Sequence, residues 1–288
     1  MTDLTTLVAE PWDDWGLIDS GNGQKLERYG AFKVVRPEPQ AMWAPASGSW
    51  DPDATFVPGS DEEGGGRWVR HRHVPQQWEL SRGAVRLHAS LTPFRHLGFF
   101  PDMVPQWDWM RERSADGDVL NLFGYTGVGT LQLSDAGARL VHVDASKKSV
   151  AQGKANARLS CMESQSIRWI VDDATKFTAR EVRRGRRYDG ILLDPPKFGR
   201  GPEGEVWRLE EHLAPLVADC RKLLDAESRF LVLTVYAVRM SALAIGELVK
   251  QTFADLGGSV DLGEMAVREE ARGLLLPTAI FARWSRSG

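Results

Sequence analysis

Glycines and a carboxylate stand in the middle of the chain at a spacing that suits a nucleoside ligand. An apolar run at 119–123 is followed by Gly124, Gly127 and Gly129, and a second apolar run ends in Asp144. Glycine has no Cβ, so the backbone of such a turn can approach a ligand closely. A carboxylate at the end of the next strand is placed to accept both hydroxyls of a ribose. The pattern therefore predicts a cofactor that contains adenosine.

The order of the glycines distinguishes between adenosine cofactors. A nicotinamide site uses G-x-G-x-x-G, so that a helix N-terminus faces the pyrophosphate. This chain has G-x-x-G-x-G, with Thr126 inside the pattern, and it carries a later Asp194-Pro195-Pro196. The sequence therefore argues against a nicotinamide cofactor.

Apolar runs and helical segments alternate after the glycine turn, which predicts an α/β fold with a parallel sheet. Ligands of such open sheets bind at the carboxyl ends of the strands, where Asp144, Asp172, Asp173 and Asp194 are expected. The predicted strands are 119–123, 140–143, 167–171, 188–193, 230–236, 258–267 and 276–284. The predicted helices are a segment between the glycine turn and residue 140, and 146–159, 174–186, 209–224 and 241–256.

The first 95 residues are predicted to form a small β-rich domain ahead of a larger domain at 96–288. Apolar and polar residues alternate between 67 and 100, as in half-buried strands joined by a turn. Residues 37–66 are rich in Pro, Gly, Ser and acidic residues, which predicts a loop or hairpin excursion rather than a packed element. The predicted fold class is an α/β sheet preceded by a small antiparallel β unit.

Four short motifs, taken in order, resemble those of the class I S-adenosylmethionine-dependent methyltransferases. They are NLFGYTG at 121–127, VDAS at 143–146, DDA at 172–174 and DPPKF at 194–198. The resemblance begins near residue 97 and is greatest to the family that modifies large-subunit ribosomal RNA, whose members make 5-methylcytosine or 7-methylguanine. It implies a Rossmann-like sheet of seven strands, the last one antiparallel, and S-adenosylmethionine as the cofactor.

The resemblance also assigns residues to the cofactor. Asp144 would take the ribose hydroxyls and Asp173 the exocyclic amine of adenine, because a carboxylate accepts hydrogen bonds but cannot donate them. Each acid has an alternative role as a helix N-cap or a loop charge, and Asp172 is an equal neighbour of Asp173. The predicted cofactor-binding residues are Phe100, Asn121, Phe123, Gly124, Tyr125, Thr126, Gly127, Asp144, Ala145, Ser146, Asp173, Ala174 and Asp194.

Phe100 stands in the stretch GFFPD at 98–102, ahead of the cofactor motifs. In the resembling family a similar stretch helps to cover the methionine end of the cofactor. The segment 96–113 is equally consistent with a connector whose aromatic residues, Trp107 and Trp109 among them, pack on the next domain.

The predicted catalytic residues are Asp194, Pro195, Pro196, Lys197 and Phe198. Methyl transfer from a sulfonium depends mainly on in-line positioning, because the leaving group is already cationic. The prolines fix φ and lack an N–H, so they would hold an extended backbone whose free carbonyls accept from a base. Phe198 would stack on a flipped-out base, and Lys197 or Arg200 would meet a phosphate. The alternative interpretation is a rigid strand-to-loop turn.

The chain departs from the resembling family after the fifth predicted strand. Members that methylate cytosine carbon have a cysteine there, because C5 is not nucleophilic until a thiolate has added to the ring. This chain has TVYAV at 234–238, and its two cysteines are Cys161 and Cys220. Transfer to nitrogen or oxygen is therefore favoured, with both Cys161 and Cys220 expected to be buried core thiols. Tyr236 either lines the base pocket or merely packs.

The composition bounds the remaining possibilities. At 288 residues, 42% hydrophobic and 26% charged, the chain resembles ordinary globular proteins. No apolar run approaches the roughly 18 residues of a membrane span, and the N-terminus lacks the pattern of a signal peptide, so we expect a cytoplasmic protein. The cysteines form no CxxC, and the close pair His71 and His73 lacks further ligands, so no metal site is predicted.

A net charge of −3 argues against a protein that is basic all over, although it allows a local basic surface beside 194–198.

The leading hypothesis is a methyltransferase that acts on RNA, ribosomal RNA above all, at a nitrogen atom by direct in-line transfer without a covalent intermediate. The alternatives are a methyltransferase for a protein or a small molecule, and a non-catalytic protein that binds S-adenosylmethionine. The sequence leaves the oligomeric state open.

Overall fold

The computed structural model describes residues 3–59, 65–236 and 239–286. The chain divides into two compact units that alternate in sequence. The larger unit comprises Met1–Leu7, Val104–Met265 and Thr278–Gly288, and the smaller unit comprises Val8–Met103 and Ala266–Pro277. The predicted domain boundary between residues 95 and 96 stays a prediction.

Strands and helices account for most of the described residues. The strands are β1 (Thr5–Ala9), β2 (Trp15–Gly21), β3 (Gln24–Tyr29), β4 (Phe32–Pro37), β5 (Ala54–Pro58), β6 (Gly66–Arg70), β7 (Trp78–Arg82), β8 (Val85–Ala89), β9 (Asp118–Leu122), β10 (Arg139–Asp144), β11 (Ile167–Val171), β12 (Gly190–Leu193), β13 (Phe198–Arg200), β14 (Val206–Arg208), β15 (Phe230–Tyr236), β16 (Ser259–Arg268) and β17 (Leu275–Ser285). The helices are α1 (Val104–Ser114), α2 (Val128–Asp135), α3 (Lys147–Leu159), α4 (Ala174–Arg183), α5 (Leu209–Lys222) and α6 (Ala242–Thr252), with short 3-10 helices at Pro101–Met103 and Ala254–Leu256. None of the helices in the described part of the chain has the length and apolar character needed to span a membrane.

One large sheet dominates the larger unit, with its described strands in the order β1-β16-β17-β15-β12-β9-β10-β11. Strands β9, β10, β11, β12 and β15 pair in parallel, and β17 runs antiparallel to β15. Strand β12 is buried along its whole length, and so is β15 up to Val235. A parallel sheet covered by helices on both faces requires such continuous apolar strands, which is why the sequence predicts them well.

The seven predicted strands are all present, and β1 adds an eighth. Gly263 of β16 explains how β1 fits beside it. A Cβ at this position would lie 1.8 Å from the carbonyl oxygen of Thr5 in β1, so only glycine allows the two backbones to approach. This contact joins segments that are far apart in sequence, and no local pattern predicts it.

Three further elements of the larger unit are absent from the sequence predictions. Strands β13 and β14 are three residues each, too short to show alternation, and they pair as a hairpin directly after the Asp-Pro-Pro motif. Helix α1 buries Gln106 and Ser114 as well as apolar residues, so its buried face does not read as an apolar stripe.

The smaller unit contains a five-stranded sheet in the order β2-β3-β4-β5-β6 and the separate hairpin β7-β8. All neighbours are antiparallel except β4 and β5, which pair in parallel. The prediction that 37–66 holds no packed element is wrong for β5, where Ala54 and Phe56 are buried. The prolines and glycines on both sides of this short strand mask it in the sequence. Residues 60–64, also part of that prediction, lie outside the described residues.

The loop between β4 and β5 is organised by one buried carboxylate, Asp19 of β2. Its Oδ1 accepts from the backbone N–H of Ala46 at 3.0 Å, and its Oδ2 accepts from the N–H of Ser47 at 3.0 Å and from Trp50 Nε1 at 2.8 Å. Arg272 lies 3.2 Å from Oδ1. Burial acts to raise the pKa of Asp19, but the hydrogen bonds outweigh it and lower the pKa below its usual value. The loop therefore needs the ionised form of this residue.

We expect Asp19→Ala to lower the free energy of unfolding by about 3 kcal/mol, because several buried N–H groups lose their acceptor. The lowered pKa means that the contribution of Asp19 is present above the ordinary value of about 3.9 and is lost as the pH falls through the folded-state pKa. Urea denaturation at pH 7 and at pH 3 measures both effects, and the difference between the two proteins should shrink at the lower pH.

The matched control is Asp51→Ala, whose carboxylate belongs to the same loop but is 83% exposed in its pair with Arg72. This change should alter stability by less than about 1 kcal/mol. Equal losses in the two variants would contradict the role given to Asp19.

Candidate active site

The predicted site residues of the larger unit gather at one edge of its sheet. Strands β9, β10, β11 and β12 are parallel neighbours, so their carboxyl ends lie at the same edge. The glycine turn at 123–127 follows β9, Asp144 ends β10, Asp173 follows β11 and Asp194 follows β12. The topology therefore brings together segments that are up to about 70 residues apart in sequence.

Asp144 ties the glycine turn to the loop that begins α3. Its Oδ2 accepts from the backbone N–H of Tyr125 at 2.8 Å, and its Oδ1 accepts from the N–H of Ser146 at 2.8 Å. Burial raises the pKa of Asp144, and these two hydrogen bonds oppose the rise without cancelling it. Each oxygen has a second lone pair, so the carboxylate can hold the loops and still accept from a ligand.

The turn itself has an unusual backbone. Phe123 and Tyr125 have φ of 59° and 50°, in the left-handed region that residues other than glycine rarely adopt, and Gly127 has φ of 76°. Such strained residues persist only where their surroundings hold them, and they cluster at functional sites. Asn156 of α3 helps to hold this turn, because its Nδ2 donates to the carbonyl of Thr126 at 3.0 Å.

Gly124 and Gly127 make room for rings of the protein. A Cβ on Gly124 would lie 2.5 Å from the ring of His142, and a Cβ on Gly127 would lie 2.9 Å from the ring of Trp169. Sequence analysis explains these glycines by the approach of a ligand, but the structure gives them close packing of the turn against β10 and β11. Their contact with a cofactor stays a prediction.

A buried polar chain lies beneath the turn. Asn121 Nδ2 donates to the hydroxyl of Thr130 at 2.9 Å, and that hydroxyl lies 2.9 Å from His142 Nδ1. Burial lowers the pKa of His142 to about 3, so its ring is neutral at physiological pH. The side chain of Asn121 is thus bonded within the protein, and its predicted contact with the cofactor is untested.

The two acids after β11 have different partners. Asp172 pairs with Arg180 and accepts from the N–H of Asp173 at 2.9 Å. Asp173 is the N-cap of α4, because its Oδ1 accepts from the N–H of Lys176 at 2.9 Å and from the hydroxyl of Thr175. Its Oδ2 accepts no hydrogen bond from the described residues. Asp173 is therefore the better candidate for a ligand contact, although it also has the alternative role of N-cap.

The Asp-Pro-Pro turn is more firmly anchored than the sequence suggests. Pro195 is buried, whereas Pro196, Lys197 and Phe198 are exposed. The expectation of a free carbonyl is wrong for Pro196, because its oxygen accepts from Trp207 Nε1 at 2.7 Å. Among the described residues, none donates to the carbonyl of Pro195. This oxygen is the backbone acceptor that remains for a substrate amine.

Trp207 is a site residue that sequence analysis missed. It is 3% exposed, and its ring centroid lies 4.9 Å from that of Phe123 in the glycine turn. Together with its bond to Pro196, this contact links the predicted cofactor turn to the predicted catalytic turn. In the sequence Trp207 is only a tryptophan 11 residues after the Asp-Pro-Pro motif. Its contact with the motif can be recognised only once the β13–β14 hairpin is known.

Phe100 lies in the smaller unit, where it is half-buried with its ring centroid 5.6 Å from that of His96. Its neighbour Phe99 is buried and meets Tyr29 edge to face at 5.8 Å. Phe99 and Phe100 thus have ring contacts with residues of the smaller unit. The proposed role of Phe100 at the cofactor is not tested by these contacts.

The expectation that both cysteines are buried is confirmed for Cys220 and wrong for Cys161. Cys220 is fully buried in α5, and burial raises the pKa of its thiol well above the usual range, so that no thiolate forms at neutral pH. Cys161 is exposed at the end of α3. Tyr236 ends β15 and is half-buried, and the next two residues of the stretch 234–238 lie outside the described residues.

An α/β sheet that gathers a glycine turn and acidic residues at its carboxyl edge defines a Rossmann-like protein for an adenosine-containing ligand. A family model described as S-adenosylmethionine-dependent methyltransferase matches residues 61–214, more than half of the chain. The solved structure of an S-adenosylmethionine-dependent methyltransferase from Agrobacterium tumefaciens is 42% identical, with a TM-score of 0.91, and the match covers 100% of this chain and 98% of that one. The chain belongs to the S-adenosylmethionine-dependent methyltransferase family.

Other relatives are more distant. The structure of SMU.776 complexed with S-adenosylhomocysteine has a TM-score of 0.75 at 16% identity, over 94% of this chain and 75% of that one, and therefore shares the fold. Ribosomal RNA large subunit methyltransferase I of Tolumonas auensis is 28% identical over 63% of this chain and 44% of its own length. Ribosomal RNA large subunit methyltransferase K/L of Chromohalobacter salexigens is 30% identical over 48% of this chain and 18% of its own length. The chain spans less than half the length of these two curated relatives.

These comparisons confirm three predictions made from the sequence: the family, the Rossmann-like fold and S-adenosylmethionine as the cofactor. The roles of individual site residues stay predictions, because no comparison assigns them.

We expect Asp144→Ala to weaken the binding of S-adenosylmethionine and S-adenosylhomocysteine by about 1.5 to 3 kcal/mol, the range for losing hydrogen bonds to a charged group. The change removes the proposed ribose acceptor and also releases the N–H of Tyr125. Isothermal titration calorimetry measures the affinity, and NAD should not bind either protein.

Asp118→Ala is the matched control, because Asp118 stands at the amino end of β9 and pairs there with Arg139 at 2.6 Å. Its substitution should leave cofactor affinity unchanged. If Asp144→Ala also binds with wild-type affinity, Asp144 is not part of the cofactor site.

Proposed function

We propose that this protein methylates RNA, with ribosomal RNA the favoured substrate, at a nitrogen atom and without a covalent intermediate. The observation that carries the proposal is the set of exposed side chains on the Asp-Pro-Pro turn. Lys197, Phe198 and Arg200 follow Asp194 directly at the edge of the sheet where the proposed cofactor acids stand, and all three are exposed to solvent. An aromatic ring between two cations suits a base and its flanking phosphates.

The donor and acceptor chemistry of the edge fits S-adenosylmethionine. Asp144 retains lone pairs for the ribose hydroxyls, and Oδ2 of Asp173 is available for the amine of adenine. S-adenosylmethionine supplies a methyl group on a cationic sulfur that leaves as a neutral thioether. The protein therefore has to orient the acceptor atom of the base rather than generate a strong nucleophile.

The carbonyl of Pro195 is the proposed orienting group for the substrate. It follows β12 immediately, and the proline rings on both sides of its peptide restrict the backbone. A base amine that donates to this oxygen would direct its nitrogen toward the methyl group. The anchoring of Pro196 by Trp207 at 2.7 Å keeps the turn in place during that contact.

Two observations support RNA and nitrogen in particular. The curated relatives named above carry ribosomal RNA in their names, at 28% and 30% identity. The chain has no cysteine after β15, and Cys220 is a buried thiol with a raised pKa, so the thiolate route to cytosine C5 has no candidate nucleophile. The proposed location is the cytoplasm, where such RNA is available.

The direct test is transfer of tritium from labelled S-adenosylmethionine into RNA, protein and metabolite fractions from a strain that lacks the protein. Label should appear in RNA, and nucleoside analysis should locate it on a nitrogen of a base. Label in the protein or metabolite fraction alone would replace RNA with one of the alternative substrates.

Replacing Cys161 and Cys220 together, each by Ala, should leave turnover within about twofold of the wild type, because neither thiol takes part in the reaction. Removing a buried thiol costs some stability, so the thermal midpoint is measured alongside. Loss of activity in a folded variant, together with a covalent RNA adduct in the wild type, would support carbon methylation instead.

Replacing Lys197 and Arg200 by Ala should weaken RNA binding and flatten the log-log salt dependence by up to about two units, since each phosphate contact releases a counterion. Cofactor affinity should not change, because neither side chain belongs to the proposed cofactor set. Fluorescence anisotropy between 50 and 200 mM salt measures the slope. An unchanged slope would remove these two cations from the RNA interface.

A further inference from the structure

The hairpin that follows the Asp-Pro-Pro turn has two chemically different faces. Strand β13 pairs with β14 so that Phe198 stands opposite Arg208 and Arg200 stands opposite Val206. Opposite residues of an antiparallel pair share a face, and alternate residues of a strand share a face. Phe198, Arg200, Val206 and Arg208 therefore lie on one side, which we call the hairpin face.

The other side of the hairpin is part of the protein interior. Trp207 is 3% exposed and belongs to the main hydrophobic core, whereas Phe198 and Val206 on the hairpin face are 40% and 43% exposed. Trp207 thus anchors the hairpin in the protein interior, whereas Phe198 and Val206 remain in contact with water. Exposed apolar groups of this kind are typical of binding surfaces.

Two guanidinium groups flank these apolar side chains. The guanidinium carbon of Arg200 lies 5.9 Å from the ring centroid of Phe198, and the side chain of Arg208 is 59% exposed with one contact to Glu211 at 3.3 Å. The acidic residues between the two strands are already paired, because Lys176 of α4 contacts Glu203 at 2.9 Å and also Glu205. The hairpin face itself therefore carries two arginines and no acidic residue, on a chain whose net charge is −3.

The hairpin is held in place from several directions. Trp207 bonds to the carbonyl of Pro196 and packs on Phe123, and the N–H of Leu209 donates to the carbonyl of Lys197 at 3.0 Å. The ion pairs of Lys176 secure the connection between the strands. A face fixed in this way loses little conformational freedom when a ligand binds, which favours affinity.

We propose that the hairpin face binds the single-stranded nucleotides next to the methylated base. Phe198 offers a ring on which an unpaired base can stack, Val206 adds apolar surface on the same face, and Arg200 and Arg208 would meet the phosphates. A duplex cannot bind in the same way, because its bases are already stacked and paired. This inference rests on the proposed function in RNA methylation, and it adds a specificity for unpaired RNA and assigns Val206 and Arg208 to substrate binding.

The test uses a variant with Val206→Ser and Arg208→Gln and a fluorescein-labelled RNA of 12 nucleotides and mixed sequence, offered as a single strand and as a duplex. The wild type should bind the single strand more tightly than the duplex at 50 mM salt. The variant should bind the single strand about tenfold more weakly and lose most of the preference, because apolar contact surface and one phosphate contact are removed. The kcat/KM for tritium transfer into RNA should fall to a similar extent, with cofactor affinity unchanged.

Two controls keep the comparison interpretable. Arg158→Gln removes an exposed arginine in the last turn of α3, away from the hairpin, and should leave all of these values at their wild-type level. Arg208→Gln alone changes one exposed side chain and should give an intermediate loss. Calorimetry with S-adenosylhomocysteine establishes that each variant is folded.

The outcomes separate this inference from the function on which it rests. If the wild type methylates RNA but the double variant binds and reacts like it, or if the duplex binds better, the hairpin face is not a substrate surface and the proposed function stands. If the wild type binds the single strand through the hairpin face but labels no RNA fraction, the face is an RNA-binding surface but not a substrate surface, and the proposed function fails. If the wild type neither binds nor labels RNA, both are overturned.

Discussion

The candidate site depends above all on the carboxylate of Asp144. This one side chain accepts from the N–H of Tyr125 in the glycine turn and from the N–H of Ser146 at the start of α3, each at 2.8 Å. Tyr125, one of the two residues of the turn other than glycine with positive φ, is therefore bonded to a fixed anion. Burial makes that anion costly, as the raised pKa of Asp144 indicates, and the backbone donors offset part of the cost. This half-buried carboxylate thus joins the glycine turn to the start of α3.

Tryptophans provide the second layer of support. Trp169 fills the space beside Gly127 and Gly153, and Trp107 fills the space beside Gly129, where added Cβ atoms would lie 2.5 to 2.9 Å from the rings. Large rigid rings packed against glycine leave the turn little room to shift, since protein interiors are close-packed. The polar chain of Asn121, Thr130 and His142 adds hydrogen bonds in the same place, with a histidine kept neutral by burial.

The Asp-Pro-Pro turn, where the substrate is proposed to bind, also combines an anchored backbone with exposed side chains. Trp207 connects the Asp-Pro-Pro turn to the glycine turn through its bond to Pro196 and its contact with Phe123. Movement of one turn therefore affects the other, which suits a reaction that depends on the alignment of two ligands. The overall charge is negative, so the proposed RNA contact depends on a local set of cations, Lys197 and Arg200, rather than on the charge of the whole chain.

The sequence by itself determined the parts of this protein that local chemistry encodes. The parallel strands β9 to β12 and β15 follow from short apolar runs, α3 from its N-cap Ser146, and the family from four motifs in order. Only the tertiary structure decided which residues those motifs touch. It added β1 to the sheet through Gly263, brought His142 and Trp169 against the glycines, and made Trp207 the link between the two turns. These contacts join residues distant in sequence, and a local pattern of residue types holds no information about a partner that lies elsewhere in the chain. The same reason explains β5, β13 and β14, short strands that owe their stability to pairing and packing rather than to their own composition.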